Sequence, residues 1–210
     1  MRLSLLCIFL ISTLLISCNN LTEDSVQSTS KGVSNLAKSK AKEALAFCQT
    51  NNMNQDLCIL IDMGIHSGKK RLFVWDFNEN KITHRFLVGH GCGNNSWSSD
   101  ETKDNPSFSN TEDSHLSSLG KYKIGERGYS NWGVHTKYLM HGLESTNSNA
   151  MKRIIVFHSW EVVSDEEIYP RGTPEGWGCP TISNASFKIV DDMLKDTSKP
   201  VLMWIYNGKD

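Results

Sequence analysis

Apolar positions recur with two different periods along this chain. At residues 34–49, Ala37, Ala41, Ala44, Leu45 and Cys48 fall three or four apart behind Ser34, a competent cap, and this spacing predicts a helix. Downstream the apolar runs become shorter and richer in β-formers. Residues 57–65 are continuously apolar-rich, and Arg71-Leu72-Phe73-Val74-Trp75-Asp76-Phe77 leads through an Asn78-Glu79-Asn80 turn into residues 82–88, which predicts a hairpin. Residues 120–124, 134–140, 154–158 and 201–206 read as further short strands, and residues 184–194 show helical periodicity behind an Asn184 cap. The pattern is mainly β with flanking helices, an α+β chain. Closing such strands into a sandwich or a partly open barrel would remove their edges. Residues 89–118 are long, polar and rich in Gly, Ser and Asn, which predicts a functional loop over a cleft rather than an idle connection.

The N-terminus follows a different rule. Arg2 precedes an apolar run over residues 3–16, too short and too one-sidedly flanked for an ordinary spanning helix, so it reads as a secretory signal. The run ends in Leu15-Ile16-Ser17-Cys18, which resembles a bacterial lipoprotein signal, with cleavage after Ser17 and an acylated Cys18. The alternatives are a plain signal peptide with an incidental Cys18, or an uncleaved anchor. The expected organisation is a signal peptide at 1–17, a flexible polar tether at 18–33, an N-terminal helix at 34–53 and one domain at 55–210.

Charge narrows the function classes. Twenty-two Lys and Arg against 23 Asp and Glu give a net charge of −1, so no bulk positive field draws the chain to nucleic acid, and no nucleic-acid partner is expected. Setting aside Cys7 and Cys18 leaves Cys48, Cys58, Cys92 and Cys179, with no Cys-x-x-Cys pair and no His-Glu-x-x-His. No metal site and no cofactor are expected. A bridge between Cys48 and Cys58 is compatible with the spacing, and at least one thiol must stay free if it is to do chemistry.

The chemistry-bearing segment is Ile154-Ile155-Val156-Phe157-His158-Ser159, followed after a polar loop by Glu175-Gly176-Trp177-Gly178-Cys179-Pro180. An apolar strand would deliver His158 to its polar end. A glycine beside Cys179 permits a tight bend that exposes sulfur and turns the peptide N–H groups of Trp177, Gly178 and Cys179 toward one point. Those parts assemble a nucleophile, a base and an oxyanion pocket. The opposing reading is a buried structural cysteine and a satisfied core histidine.

Several further stretches carry a family resemblance: Arg71-Leu72-Phe73-Val74, His90-Gly91, Pro106-Ser107-Phe108-Ser109-Asn110, Ser117-Ser118-Leu119-Gly120, Gly142-Leu143-Glu144 with Asn147 and Asn149-Ala150, residues 153–158, and Gly178-Cys179-Pro180. Across residues 57–207 the chain resembles the murein L,D-transpeptidase catalytic-domain family, related to the YkuD-type enzymes. The resemblance implies a β-rich catalytic domain in which Cys179 is the nucleophile, His158 the base and Ser159 an orienter of that base. It implies peptidoglycan stem peptides as substrate and acyl transfer through a thioester, with a lipid on Cys18 holding the domain to the membrane in the cell envelope, facing the periplasm or outer surface. A murein L,D-carboxypeptidase or amidase, and an inactive wall-binding lipoprotein, are the alternatives. One departure is that the family commonly has Ser or Thr two residues before the Gly-Cys pair, where this chain has Gly176.

Other residues are weaker candidates. His141 and Arg153 are candidate substrate-binding groups beside Trp177 and Gly178, with His90, His135 and Arg171 less favoured. Trp132, Trp160 and Trp177 are candidate groove walls.

Overall fold

The structure, a computed structural model, describes residues 20–210, with side chains from residue 32. The signal peptide expected at 1–17 and the lipidation site Cys18 lie outside the described residues. The chain divides into two compact units, Met1–Asn35 and Leu36–Asp210. Of the first, the described part is helical backbone. Helix α1 spans Asn20–Thr50, so helix occupies residues 20–33, where the composition predicts a tether. Residues 20–31 are polar but hold neither Gly nor Pro, so nothing in them breaks a helix. The helix stops at Asn52, whose φ of 53° lets the Met53 N–H turn back to Cys48 O at 3.0 Å. No helix among the described residues is long and apolar enough to cross a membrane.

Eight strands follow: β1 (Leu57–Asp62), β2 (Leu72–Asp76), β3 (Lys81–Phe86), β4 (Gly120–Tyr129), β5 (Thr136–Gly142), β6 (Val156–Ser159), β7 (Thr181–Ile182) and β8 (Leu202–Tyr206), with α2 (Asn184–Leu194) between β7 and β8. They form one sheet in the order β3-β2-β1-β8-β4-β5-β6-β7, parallel at β1–β8 and β6–β7 and antiparallel elsewhere. Of the two predicted architectures, this is the partly open barrel. Its two edges are not left bare. Beyond β3 the chain stays extended, and Gly89 N–H donates to Thr181 O at 2.8 Å, Gly176 N–H to His90 O at 2.7 Å and Cys92 N–H to Gly176 O at 2.8 Å. These bonds join the β3 side of the sheet to the segment leading into β7, forming a seam.

Burial alternates along β4 and β5, which place Tyr122, Ile124, Tyr138 and Met140 inward. Strands β1 and β8 are buried on both faces, which explains their unbroken apolar runs. One face carries Ile59, Ile61, Met203 and Ile205 into the main core, where Phe187 of α2 packs 5.3 Å from Phe157. The α1 stripe Ala37, Ala41, Ala44 and Cys48 is buried, and Lys40 of that helix sits 4.4 Å over the ring of Trp204 on β8. Cys48 and Cys58 are both buried and both free thiols.

Helix α2 is capped by Ser183 rather than Asn184. The Ser183 hydroxyl accepts from Ser186 N–H at 3.0 Å, and Asn184 is the first helical residue. Phe187→Ala removes a ring held between Phe157 and Tyr138 and is expected to cost about 3–5 kcal/mol of unfolding free energy in urea. A loss under about 1 kcal/mol would show that α2 is not packed into this core.

Candidate active site

Strands β6 and β7 erase the 21-residue gap between His158 and Cys179. Cys179 lies two residues before Thr181, and Thr181 is the direct register partner of His158. His158, Gly176, Cys179 and Thr181 line one cavity of about 100 Å³. Its remaining walls are indoles. Trp160 is buried, and Trp97 packs on it at 4.8 Å and on Trp132 at 6.0 Å; Trp177 is 61% exposed and stacks on His115 at 5.2 Å. A larger cavity, about 510 Å³, opens between β4 and residues 194–201, but neither Cys179 nor His158 lines it.

The sulfur of Cys179 is partly exposed and held from one side. It accepts from Val156 N–H at 3.4 Å and lies 3.8 Å from Ile154 O. Ile154 has a φ of 55°, a costly conformation for a β-branched side chain, and the turn it makes aims its carbonyl at this sulfur. Crowding by protein raises the thiol above its ordinary value near 9, against the lowering pull of the Val156 N–H, Arg153 and Lys137. Burial likewise lowers His158 below its ordinary 6.5, opposed by its bond to the Ser159 carbonyl. Both shifts favour the uncharged pair, thiol plus neutral imidazole.

The orientation of His158 comes from a backbone atom. Its Nδ1 lies 2.9 Å from Ser159 O, so Nδ1 carries the proton and Nε2 keeps its lone pair. The Ser159 hydroxyl is engaged elsewhere, accepting from Val134 N–H at 2.9 Å. Ser159 thus contacts the base through its carbonyl, where the resemblance implies an orienting role without naming an atom.

Gly178 has a φ of 96°, and a Cβ there would come within 2.5 Å of Leu116 O, so only glycine fits. Its carbonyl is pinned by the Ser117 hydroxyl at 3.1 Å, which also accepts from Gly91 N–H at 3.1 Å. The N–H groups of Trp177, Gly178 and Cys179 donate to no acceptor among the described residues. Three consecutive uncommitted donors next to a sulfur are what an oxyanion needs.

Arg153 stands beside this bend, but its guanidinium already holds the loop. Nη1 donates to Ser109 O and Ser118 Oγ, and Nη2 to Ser114 Oγ and Leu116 O. The structure thus places Arg153 as a clasp on the 109–118 segment that also sets positive charge near Cys179. His141 lies elsewhere. It sits on β5 opposite Lys123, its Nε2 3.2 Å from Glu126 Oε2, and it does not line the Cys179 cavity. His135 stacks on Tyr129 and contacts Ser130 O, and it does not line that cavity either. Gly176, where the family commonly has a hydroxyl, faces open space: a Cβ there would meet nothing within 4 Å.

Sequence reasoning missed a buried relay under the seam. Arg71, His90 and Glu175 are each 0% exposed. Arg71 donates to Val88 O, Ile65 O and His90 Nδ1, the last at 2.9 Å. That fixes the His90 proton on Nε2, which donates to Thr102 Oγ1 at 2.8 Å; Thr102 N–H and Oγ1 then donate to Glu175 Oε1, and Ser99 Oγ to Oε2. The one available signal was a charged residue opening an otherwise apolar strand at Arg71.

A cysteine and an imidazole sharing a small cavity beside free peptide donors define a site suited to acyl transfer. A family profile described as the L,D-transpeptidase catalytic domain matches residues 29–206, and the chain belongs to that family. No curated protein matches the chain. Among solved structures, the L,D-transpeptidase of Xylanimonas cellulosilytica is 11% identical, with 71% of this chain and 60% of that one covered, at a TM-score of 0.39. Bd1075 of Bdellovibrio bacteriovorus is 16% identical, covering 75% and 49%, at 0.42, and the helical cell shape determining protein Pgp2 of Campylobacter jejuni is 13% identical, covering 72% and 48%, at 0.44. The chain thus spans about half to three-fifths of those proteins.

A raised thiol has a measurable consequence. Alkylation of Cys179 by iodoacetamide is expected to accelerate with pH and to be still climbing at pH 9. A rate already level below pH 7 would mean a preformed thiolate–imidazolium pair instead.

Proposed function

We propose that this protein is a cysteine-dependent murein L,D-transpeptidase. The observation that carries the reading is the shared cavity, where Cys179, His158 and three uncommitted N–H donors lie within one strand pair and one bend. In this mechanism a tetrapeptide stem of peptidoglycan enters with the carbonyl of its third residue over Cys179. His158 Nε2 takes the thiol proton as sulfur attacks, and the carbonyl oxygen becomes an oxyanion held by the N–H groups of Trp177, Gly178 and Cys179. Collapse of that intermediate breaks the amide bond, and His158 returns the proton to the departing nitrogen of the terminal D-residue. A thioester between stem and Cys179 remains.

The acceptor completes the cycle. An amine from a neighbouring stem, deprotonated by His158, gives a crosslink between third residues and regenerates the thiol. Water in its place would give net carboxypeptidase action. Neither route requires a metal or an organic cofactor. Cleavage before Cys18 and its acylation belong to the same proposal, placing the domain in the cell envelope next to its polymeric substrate, on the periplasmic or outer face.

Incubation with a carbapenem followed by intact-protein mass is the test. One covalent adduct is expected on the wild type and none on Cys179→Ala. An unmodified wild type, or an equal adduct on Cys179→Ala, would overturn the assignment of the nucleophile.

A further inference from the structure

The chain has six tryptophans, and solvent sorts them into two groups. Trp75, Trp160 and Trp204 are buried, whereas Trp97 is 47% exposed, Trp132 44% and Trp177 61%. All three exposed indoles line the cavity that holds Cys179 and His158. They come from separate segments, and each is carried on bonded backbone. Ser98 N–H, directly after Trp97, donates to Glu175 O at 2.8 Å. Trp132 N–H donates to Ser130 Oγ at 3.1 Å, and its carbonyl accepts from His135 N–H at 3.0 Å. Trp177 stands between Gly176, bonded into the seam, and Gly178, whose carbonyl is held by Ser117. Trp97 packs on buried Trp160 at 4.8 Å and on Trp132 at 6.0 Å, so Trp97 and Trp132 continue one aromatic surface outward from the core. Apolar surface left in water is a cost to the free protein, and where it is contiguous and ordered it marks a place for a ligand.

We propose that Trp97 and Trp132 form a saccharide subsite, which stacks a pyranose ring of the glycan to which the stem peptide is attached. The inference rests on the acyl-transfer reading of this site and deepens it, from a bare peptide to a peptide still joined to its sugar. Charge selects the occupant. No Lys, Arg, Asp or Glu lines the cavity. The carboxylates of a stem peptide find no cation there, and the negative face of an indole repels them. A pyranose is uncharged. It offers C–H groups to an aromatic face, and its hydroxyl and acetamido oxygens can accept from an indole Nε1–H. Reach agrees with this assignment. With the third-residue carbonyl over Cys179, three extended stem residues span roughly 10 Å back to the sugar. The walls of a cavity of about 100 Å³ fall within that distance of the sulfur, so the sugar meets the exposed indoles at its rim.

The test compares a free tetrapeptide stem with the same stem on its disaccharide of N-acetylated sugars. The wild type is expected to favour the disaccharide-bearing substrate about tenfold in kcat/KM. Trp132→Ala is expected to erase that preference, losing about tenfold more on the disaccharide substrate than on the free peptide, and Trp132→Phe to keep most of it. A second measurement needs no turnover. An oligomer of N-acetylglucosamine titrated into the Cys179→Ala protein is expected to change indole fluorescence saturably, and to lose that change when Trp132→Ala is added. Equal wild-type rates on the two substrates would overturn the proposal. So would a Trp132→Ala loss shared equally by both, which would assign the indoles to the peptide. A wild type inert toward both substrates would instead remove the acyl-transfer reading, and the titration then decides the subsite alone: saturable binding that depends on Trp132 upholds it, and no binding overturns it.

Discussion

Two edges of one sheet meet along residues 89–92 and 176–181, and the chemistry lies on that join. A seam of three backbone bonds is short, and what keeps it closed is the relay beneath it, from Arg71 through His90 and Thr102 to Glu175. Arg71, His90 and Glu175 are out of water, so the two charged groups depend on the bonds between them. Removing one partner of a buried charged network leaves the rest uncompensated, at a cost of about 3–5 kcal/mol. The long loop is bound by the same constraint. Glu175 exchanges backbone bonds with Ser98 and Ser99 at 2.8 Å each, and its carboxyl gathers Ser99 and Thr102, so residues 98–102 and the segment before Cys179 move as one.

From that fixed point the bend at Gly178 follows. Glu175 is followed by Gly176, already paired with His90 and Cys92, and the chain must then pass under Leu116 with a φ that only glycine adopts without strain. Arg153 holds Leu116 down and Ser117 holds the Gly178 carbonyl. With the Gly178 carbonyl spoken for, the N–H groups of Trp177, Gly178 and Cys179 have no acceptor among the described residues. Burial disfavours the charged form of both groups, thiol and imidazole, against the pull of the Val156 N–H, Arg153 and Lys137 on the thiol and of the Ser159 carbonyl on the imidazole.

Much of this was legible in the residues. The apolar runs located β1, β2, β3, the first half of β4, β5, β6 and β8 because each buries a face against a core, and period 3.6 located α2 and the packed half of α1. Strand β7 is two residues long, too short for any periodicity, yet it sets the His158–Thr181 register. The His158 and Cys179 assignment rested on residue types with mechanistic meaning. The placement of Ser159, Arg153 and His141 depends on where side chains end, which spacing does not encode: the Ser159 carbonyl meets the His158 ring, both terminal nitrogens of Arg153 bind loop oxygens, and His141 pairs with Glu126 outside the Cys179 cavity. The joining of Arg71, His90, Thr102 and Glu175 was not legible, because they are far apart in the chain and only burial beside one another makes them a network.

Amide hydrogen exchange at the seam tests the central claim most directly. The N–H groups of Gly89, Cys92 and Gly176 are expected to exchange as slowly as those in the middle of β1, while those of Trp177, Gly178 and Cys179, a few residues away, exchange fast. Gly89 and Gly176 exchanging as rapidly as residues 177–179 would contradict the account, because the sheet edges would then not be joined and nothing would keep Cys179 and His158 in one cavity.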